Sequence, residues 1–184
     1  MRTSPPSPYA PHLWVCAAVV GLLTLATAGP AYADDPTTAT VTITGGVLAI
    51  NVSGASAGNL GTQSTTASEG VISGRLGQVQ VIDARSAAAG SGWVASAVST
   101  AFAPPSGPEL AGSLVSYAAG PIDKVGTATY EANDPSGLTT VKAVVTATEI
   151  TGDNTATWTP TISVTIPGGM AAGVYAATIT HSVL

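Results

Sequence analysis

Three features of the sequence predict an all-β protein. Valine and threonine dominate the periodic segments, and their branched β-carbons suit the pleated, half-buried surface of a sheet. Charged residues make up only 8% of the chain, with few of the glutamate and lysine residues that build exposed helices. Strand-like segments recur at short intervals with turn-forming residues between them, which is typical of a sandwich and not of βαβ units. The prediction is therefore an antiparallel β-sandwich of immunoglobulin-like type.

The amino-terminal residues 1–33 are predicted to be a signal-peptide helix. Arg2 precedes an uncharged apolar run at residues 13–28, and Ala31 and Ala33 supply the small side chains of a cleavage site. The alternative is an uncleaved membrane anchor, but the run is shorter than the roughly 20 apolar residues that a spanning helix needs. Residues 34–184 then form a single domain, which is large enough to bury its own core.

The secreted chain is accordingly expected to begin at Asp34, without a stable membrane anchor. Amino-terminal sequencing or intact-mass measurement of the exported protein tests this expectation. An exported form that retains residues 13–28 would contradict it and indicate a membrane-anchored protein.

Composition excludes several classes of function. The single cysteine, Cys16, lies in the apolar run, so the mature chain has no disulfide, thiolate nucleophile or cysteine-metal site. The net charge of −5 becomes one unit more negative when Arg2 is removed, which argues against nucleic acid as a partner. Acidic residues in 131–134 and at Asp153 lie in turn-like sequences, where capping the backbone is their expected role. A calcium ion is the alternative there, but the regular spacing of a calcium loop is lacking, so no metal or cofactor is expected.

Turn chemistry divides the mature chain into strand-like segments. Most of residues 53–70 are small and polar and are predicted to be a loop. Pro104, Pro105 and Pro108 prevent regular pairing after Phe102. The predicted strands are residues 37–43, 47–52, 75–85, 93–102, 113–120, 126–132, 137–150 (for which one helix is the alternative), 155–167 and 173–184.

The turns also predict which strands are neighbours. Gly45 and Gly46 are expected to close a hairpin between the first two strands. The sequences SAAAGSG (86–92) and TGDN (151–154) are expected to turn the chain, and PGGMAAG (167–173) is expected to pair the last strand with residues 161–166. Because the last strand alternates apolar or ring side chains with threonine and serine, it is predicted to be a core element.

Four residues are candidates for ligand binding: Asp83, Arg85, Trp93 and His181. Asp83 and Arg85 lie two apart on one strand and so on one face, where the pair either orients a ligand or closes a strand end. Trp93, like Trp158, would stack on a sugar if exposed and would be a large core residue if buried.

His181 is the only histidine that remains after the predicted cleavage. A catalytic triad or a histidine metal site would depend on it, and the alternative is a histidine that is half-buried near a sheet end and satisfied by one backbone hydrogen bond. The sequence has no Gly-x-Ser-x-Gly, His-Glu-x-x-His or phosphate-loop motif. An enzyme is therefore the least favoured class.

Three stretches resemble parts of one known family. VQVIDARSAAAGSGW (79–93) combines Asp-x-Arg with Gly-Trp, VTIPGG (164–169) is a strand with its turn, and AGVYAATITHSVL (172–184) is a closing strand. In order and spacing they are similar to the WxL family of cell-surface proteins, named for two Trp-x-Leu motifs. The motifs depart from the family pattern, since the first is Trp93-Val94-Ala95 and the second is His181-Ser182-Val183.

The resemblance implies a secreted, β-rich, non-catalytic protein held noncovalently on the Gram-positive cell wall. Its expected partners are cell-wall peptidoglycan or other surface proteins, and His181 would stand at an aromatic position of a structural face. A different hypothesis is a structural subunit of an extracellular assembly, formed by sheet-edge pairing.

Overall fold

The computed structural model describes residues 40–42, 44–53, 59–64 and 66–184. The predicted signal peptide and most of the predicted strand at 37–43 lie outside this part of the chain. No described residue lies in an α-helix, and no helix in this part is long and apolar enough to cross a membrane. The described strands are β1 Leu48–Val52, β2 Gly70–Arg75, β3 Val79–Ser99, β4 Val115–Ala118, β5 Ile122–Ala132, β6 Lys142–Trp158, β7 Thr161–Ile166 and β8 Ile179–Val183.

The strands form two antiparallel sheets. In the larger sheet, β6 pairs along one edge of the long strand β3, whereas β1 and β8 pair with separate halves of its other edge. Strand β5 completes this sheet on the far side of β6. The smaller sheet has the order β2-β7-β4. The all-β, antiparallel prediction is thus confirmed, and the helix alternative for residues 137–150 is wrong because β6 occupies most of them.

One apolar core contains side chains from both sheets. Val79 and Val81 of β3 and Ile162 and Val164 of β7 are all almost fully buried, as the period of two along each strand predicts. Burial of this kind is the main stabilising term of a domain without disulfides, at about 25 cal/mol per Å² of apolar area. The core therefore joins the two sheets.

The predicted turns at residues 86–92 and 151–154 are wrong. Strands β3 and β6 run through both segments, and register shifts between their paired residues take up the extra residues as bulges. Ser86 has a φ of 52° and Gly152 a φ of 71°, both in the left-handed region. Glycine and small polar residues permit this conformation in a bulge as readily as in a turn. The sequence therefore indicates that the backbone is irregular in these segments, but not whether the irregularity is a turn or a bulge.

The predicted hairpin between residues 161–166 and the last strand is also wrong. Strand β7 pairs with β2 and β4 in the smaller sheet, whereas β8 pairs with β3 in the larger one. Residues 167–173 therefore carry the chain from one sheet to the other. The prediction that the last strand belongs to the core is supported, because Ile179, His181 and Val183 face inward and are half-buried.

Strand β1 pairs with β3, and most of the first strand of the hairpin predicted at Gly45 and Gly46 lies outside the described residues. Gly46 donates its backbone N–H to the carbonyl of Ala84, and a Cβ atom on Gly45 would collide with the carbonyl of Arg85. These glycines permit close backbone approach rather than a tight reversal. Strand β2 was not predicted, since Gly70 and Gly74 interrupt its apolar pattern.

Candidate functional site

A polar cluster forms where β3 bulges away from β6. We call it the bulge cluster, and it contains three of the four candidate residues. Its members come from β3, β5 and β6 and are Asp83, Arg85, Gly92, Trp93, Tyr130 and Asn154.

Asp83 and Arg85 form a bidentate ion pair, as their spacing predicts. Nε of Arg85 donates to Oδ1 of Asp83 at 2.8 Å, and Nη2 donates to Oδ2 at 2.8 Å. The side chain of Asp83 is 0% exposed and that of Arg85 is 37% exposed. The Arg85 guanidinium therefore lowers the pKa of Asp83, and the Asp83 carboxylate raises the pKa of Arg85. A carboxylate so fully engaged is held as a structural anion.

Arg85 also closes the bulge in its own strand. Its Nη2 donates to the carbonyl of Gly92 at 3.2 Å, seven residues along β3. Gly92 must lack a side chain, because a Cβ atom there would lie 2.7 Å from the carbonyl oxygen of Ala147. The Asp-x-Arg and Gly-Trp motifs of the sequence therefore meet around one guanidinium.

Asn154 connects this ion pair to two aromatic rings. Its Oδ1 accepts hydrogen bonds from Nε1 of Trp93 at 3.2 Å and from the hydroxyl of Tyr130 at 3.0 Å. Asn154 lies opposite Asp83 in the β3–β6 ladder, and its amide helps to lower the pKa of Asp83. Its Nδ2 nevertheless has no acceptor within hydrogen-bond geometry among the described residues.

Trp93 lies inside the protein. It is 2% exposed, and its ring centroid is 5.7 Å from that of Tyr130 at an angle of 51°. Burial and the charge of Asp83 raise the pKa of Tyr130. Of the two alternatives for Trp93, core residue or sugar platform, the geometry favours the core, because a buried ring face cannot stack on a sugar. Trp158 is likewise 2% exposed.

The acidic residues predicted to cap the backbone include two that do so. Oδ1 of Asp134 accepts the N–H of Ala119 at 2.8 Å. Oδ1 of Asp153 accepts both the N–H and the hydroxyl of Ser86, at 3.0 and 3.1 Å, and so supports the strained residue of the bulge. Asp153 does this between β6 and β3, because residues 151–154 lie in β6 and not in a turn. Among the described residues, no group of three or more histidine, cysteine or acidic side chains is placed to hold a metal ion.

His181 lies outside the bulge cluster, in a hydrogen-bonded row that crosses the core. We call this row the inter-sheet network. Nε1 of Trp158 on β6 donates to the hydroxyl of Tyr117 on β4 at 2.8 Å, and this hydroxyl lies 3.2 Å from Nε2 of His181 on β8. The rings of Tyr117 and His181 meet edge to face at 5.7 Å.

The inter-sheet network favours a neutral His181. Because the Tyr117 hydroxyl accepts from Trp158, its own hydrogen is free for Nε2 of a neutral imidazole. Burial lowers the pKa of His181 and raises that of Tyr117. His181 thus contacts Tyr117 in the core. The hydrogen bond to the Tyr117 hydroxyl takes the place of the expected bond to a backbone group.

The free energy of unfolding should fall as pH decreases through the ordinary histidine pKa of 6.5. The unfolded chain takes up this proton more readily than the folded chain, so protonation favours unfolding. The change is measured as a lower melting temperature at pH 5 than at pH 7.5. His181→Phe should remove the difference, since no other histidine remains in the predicted mature chain. An unchanged pH dependence in His181→Phe would contradict this role.

Three residues of these clusters were not predicted as site residues from the sequence: Tyr117, Tyr130 and Asn154. Each lies far along the chain from its partners, so no local sequence motif predicts the contact. The available signal was the rarity of aromatic residues, which make up 5% of the chain.

The fold and the clusters define an all-β domain in which Asp83 and Trp93 are buried, His181 is half-buried and Arg85 is exposed. No protein-family model matches the chain, and no curated protein or solved structure matches it at a significant level. Ligand binding by Asp83, Arg85, Trp93 and His181 stays a prediction.

Proposed function

We propose that this protein is a secreted, non-catalytic cell-surface module that associates noncovalently with the bacterial cell wall. In this proposal its domain is an immunoglobulin-like β-sandwich related to the WxL family. The proposal begins from the three sequence stretches that resemble that family, and the positions of those stretches in the fold support it.

The observation that carries the proposal is the pairing of the two motif segments. The segment that begins at Trp93 and the segment that begins at His181 lie about 90 residues apart in sequence, yet they occupy adjacent antiparallel strands. Ala95 lies opposite Val183, and Val94 exchanges two backbone hydrogen bonds with Leu184, at 2.9 and 3.1 Å. The contact between these two sequence-distant motifs supports the resemblance.

The bulge cluster supports the same proposal. The Asp-x-Arg pair and the Gly-Trp pair of the resemblance share one guanidinium and one buried asparagine. A shared core between two antiparallel sheets supports the sandwich architecture. The engagement of His181 with Tyr117 supports a structural role for the histidine on which acid–base catalysis would depend.

Fractionation of producing cells tests the proposal. We expect the protein in the wall fraction, released by a denaturant without enzymatic digestion of the wall, because no covalent bond holds it. A protein that appears only after wall digestion would indicate covalent attachment. A protein found only in the membrane fraction or the cytoplasm would contradict the proposal directly.

A structural subunit that assembles through a sheet edge is the second candidate function. One observation favours it: β8 has a single strand partner among the described residues, β3, and contains no charged residue of the type that protects sheet edges.

A further inference from the structure

Strand β8 presents one free row of backbone groups. Val94 and Leu184 exchange both of their backbone hydrogen bonds, and in an antiparallel ladder such pairs alternate with pairs that make no hydrogen bonds. Ile179, His181 and Val183 therefore direct their N–H and C=O groups away from β3. No described residue pairs with this outer row.

The larger sheet has three edge strands, β5 on one side and β1 and β8 on the other, and β5 and β8 differ in how they are protected. Strand β5, on one side, carries Asp123, Lys124 and Glu131 and has two register irregularities. Strand β8, on the other side, has no Asp, Glu, Lys, Arg or proline, and its register with β3 is continuous. Charges and bulges are devices that prevent edge-to-edge pairing, so the edge of β8, like that of the uncharged strand β1, is left open to it.

We propose that two copies of this protein pair through their β8 strands, antiparallel and about a two-fold axis at His181. Each copy then contributes Ile179, His181 and Val183 to the new ladder, and the two larger sheets become one continuous sheet. This inference develops the second candidate function and does not depend on wall binding.

The sequence of β8 is self-complementary in this register. Ile179 lies opposite Val183 of the second copy, which places two β-branched side chains together on the inner face. Thr180 lies opposite Ser182 of the second copy, which places two exposed hydroxyl side chains together on the outer face. Cross-strand pairs of both kinds stabilise antiparallel sheets.

Charge permits a second copy at this edge, although it opposes most other approaches of two copies. The whole chain has a net charge of −5, so two copies repel each other at most approaches. The β8 edge is uncharged, and pairing there brings no like charges opposite each other. Pairing through a two-fold axis is also the commonest symmetry of homo-oligomers.

The oligomeric state of the exported protein tests the proposal. Sedimentation velocity, measured while the protein concentration is varied about a hundred-fold, should show a monomer–dimer equilibrium. Thr180→Lys with Ser182→Lys should shift it to monomer, because four lysines would then flank the two-fold axis. Both side chains are exposed, so folding should be unaffected. The matched control is Thr127→Lys, an exposed residue on β5, which should leave the dimer intact. A wild-type monomer throughout, or equal loss of dimer in the control, would overturn the proposal.

Cross-linking tests the register. The predicted mature chain has no cysteine, so introduced thiols are unambiguous. In the proposed dimer, residue 180 faces residue 182 of the second copy in a pair without hydrogen bonds, where Cα atoms lie about 4.5 Å apart and a disulfide fits. An oxidised mixture of Thr180→Cys and Ser182→Cys chains should form a disulfide-linked heterodimer faster than either variant alone forms a homodimer. A dimer that gives no such preference would contradict the β8 register.

Wall binding and dimerisation can fail separately. The lysine variant should remain folded and should still sediment with cell walls if the first proposed function holds. Loss of the dimer with wall binding retained assigns β8 to self-association alone, as proposed. A variant that loses wall binding while keeping the dimer would show that the β8 edge contacts the wall, which contradicts the inference.

Discussion

Replacing Arg85 with alanine is expected to lower the free energy of unfolding by about 3 kcal/mol, at the low end of the cost of breaking a buried ion pair. The change would leave the carboxylate of Asp83, which is 0% exposed, without its two charged hydrogen bonds. It would also remove the donor to the carbonyl of Gly92, which closes the bulge in β3. The low end applies because the Arg85 side chain is 37% exposed, and water can partly replace it. Urea denaturation at neutral pH measures the difference.

The matched control is Arg75→Ala, since Arg75 is an exposed arginine on β2. This change should alter stability by about 0.5 kcal/mol or less. Because the pKa of Asp83 is lowered below its usual 3.8, the stabilisation from this carboxylate is present above that pH and is lost as pH falls through the folded-state pKa. Equal stability of Arg85→Ala and the wild type at pH 7 would refute a structural role for the pair.

Removing residues 179–184 is expected to prevent folding. The deletion takes away the β8 ladder with β3 and the inward side chains of Ile179, His181 and Val183. It also deprives the buried hydroxyl of Tyr117 of a partner. Losses of this kind cost several kcal/mol, and a typical domain has only about 5 to 15 kcal/mol of stability.

Near-ultraviolet circular dichroism reports this loss, because Trp93 and Trp158 are both buried in the intact core. The truncated chain should show no near-ultraviolet aromatic bands and no cooperative unfolding transition. Leu184→Ala is the control, since this side chain is 88% exposed and its loss should have little effect. A truncated chain with the wild-type spectrum would show that β8 is dispensable.

The sequence predicts where strands form better than it predicts which strands pair. Alternation of apolar and polar residues depends on which face of a strand is buried, so strands such as β4 and β7 are visible in the sequence. Pairing depends on tertiary contacts. The segments at 86–92 and 151–154 contain turn residues, yet they form bulges because β3 and β6 support each other across them. Residues 167–173 mark a change of direction, but nothing local says that β8 joins the other sheet.

In the candidate sites, contacts within one strand were likewise easier to predict than contacts between strands. The Asp83–Arg85 pair was predictable, because residues two apart on a strand lie on the same face and can reach each other. The partners Asn154 and Tyr130 were not predictable, because they reach Trp93 through strand pairing over sequence separations of 61 and 37 residues, and the second contact is between rings rather than hydrogen-bonding groups. A structural role was one of the alternatives for His181, but its partner Tyr117 lies on the other sheet.

The association of the purified, folded protein with washed peptidoglycan is the most direct test of the proposed function. Sedimentation at increasing wall concentration should give saturable binding that survives moderate salt, since an acidic protein gains little from simple charge attraction to an anionic wall. Heat-denatured protein serves as the control for nonspecific adsorption and should remain in the supernatant. If the folded protein also remains in the supernatant at every wall concentration, while its buried tryptophans confirm an intact core, the protein is not a wall-binding module.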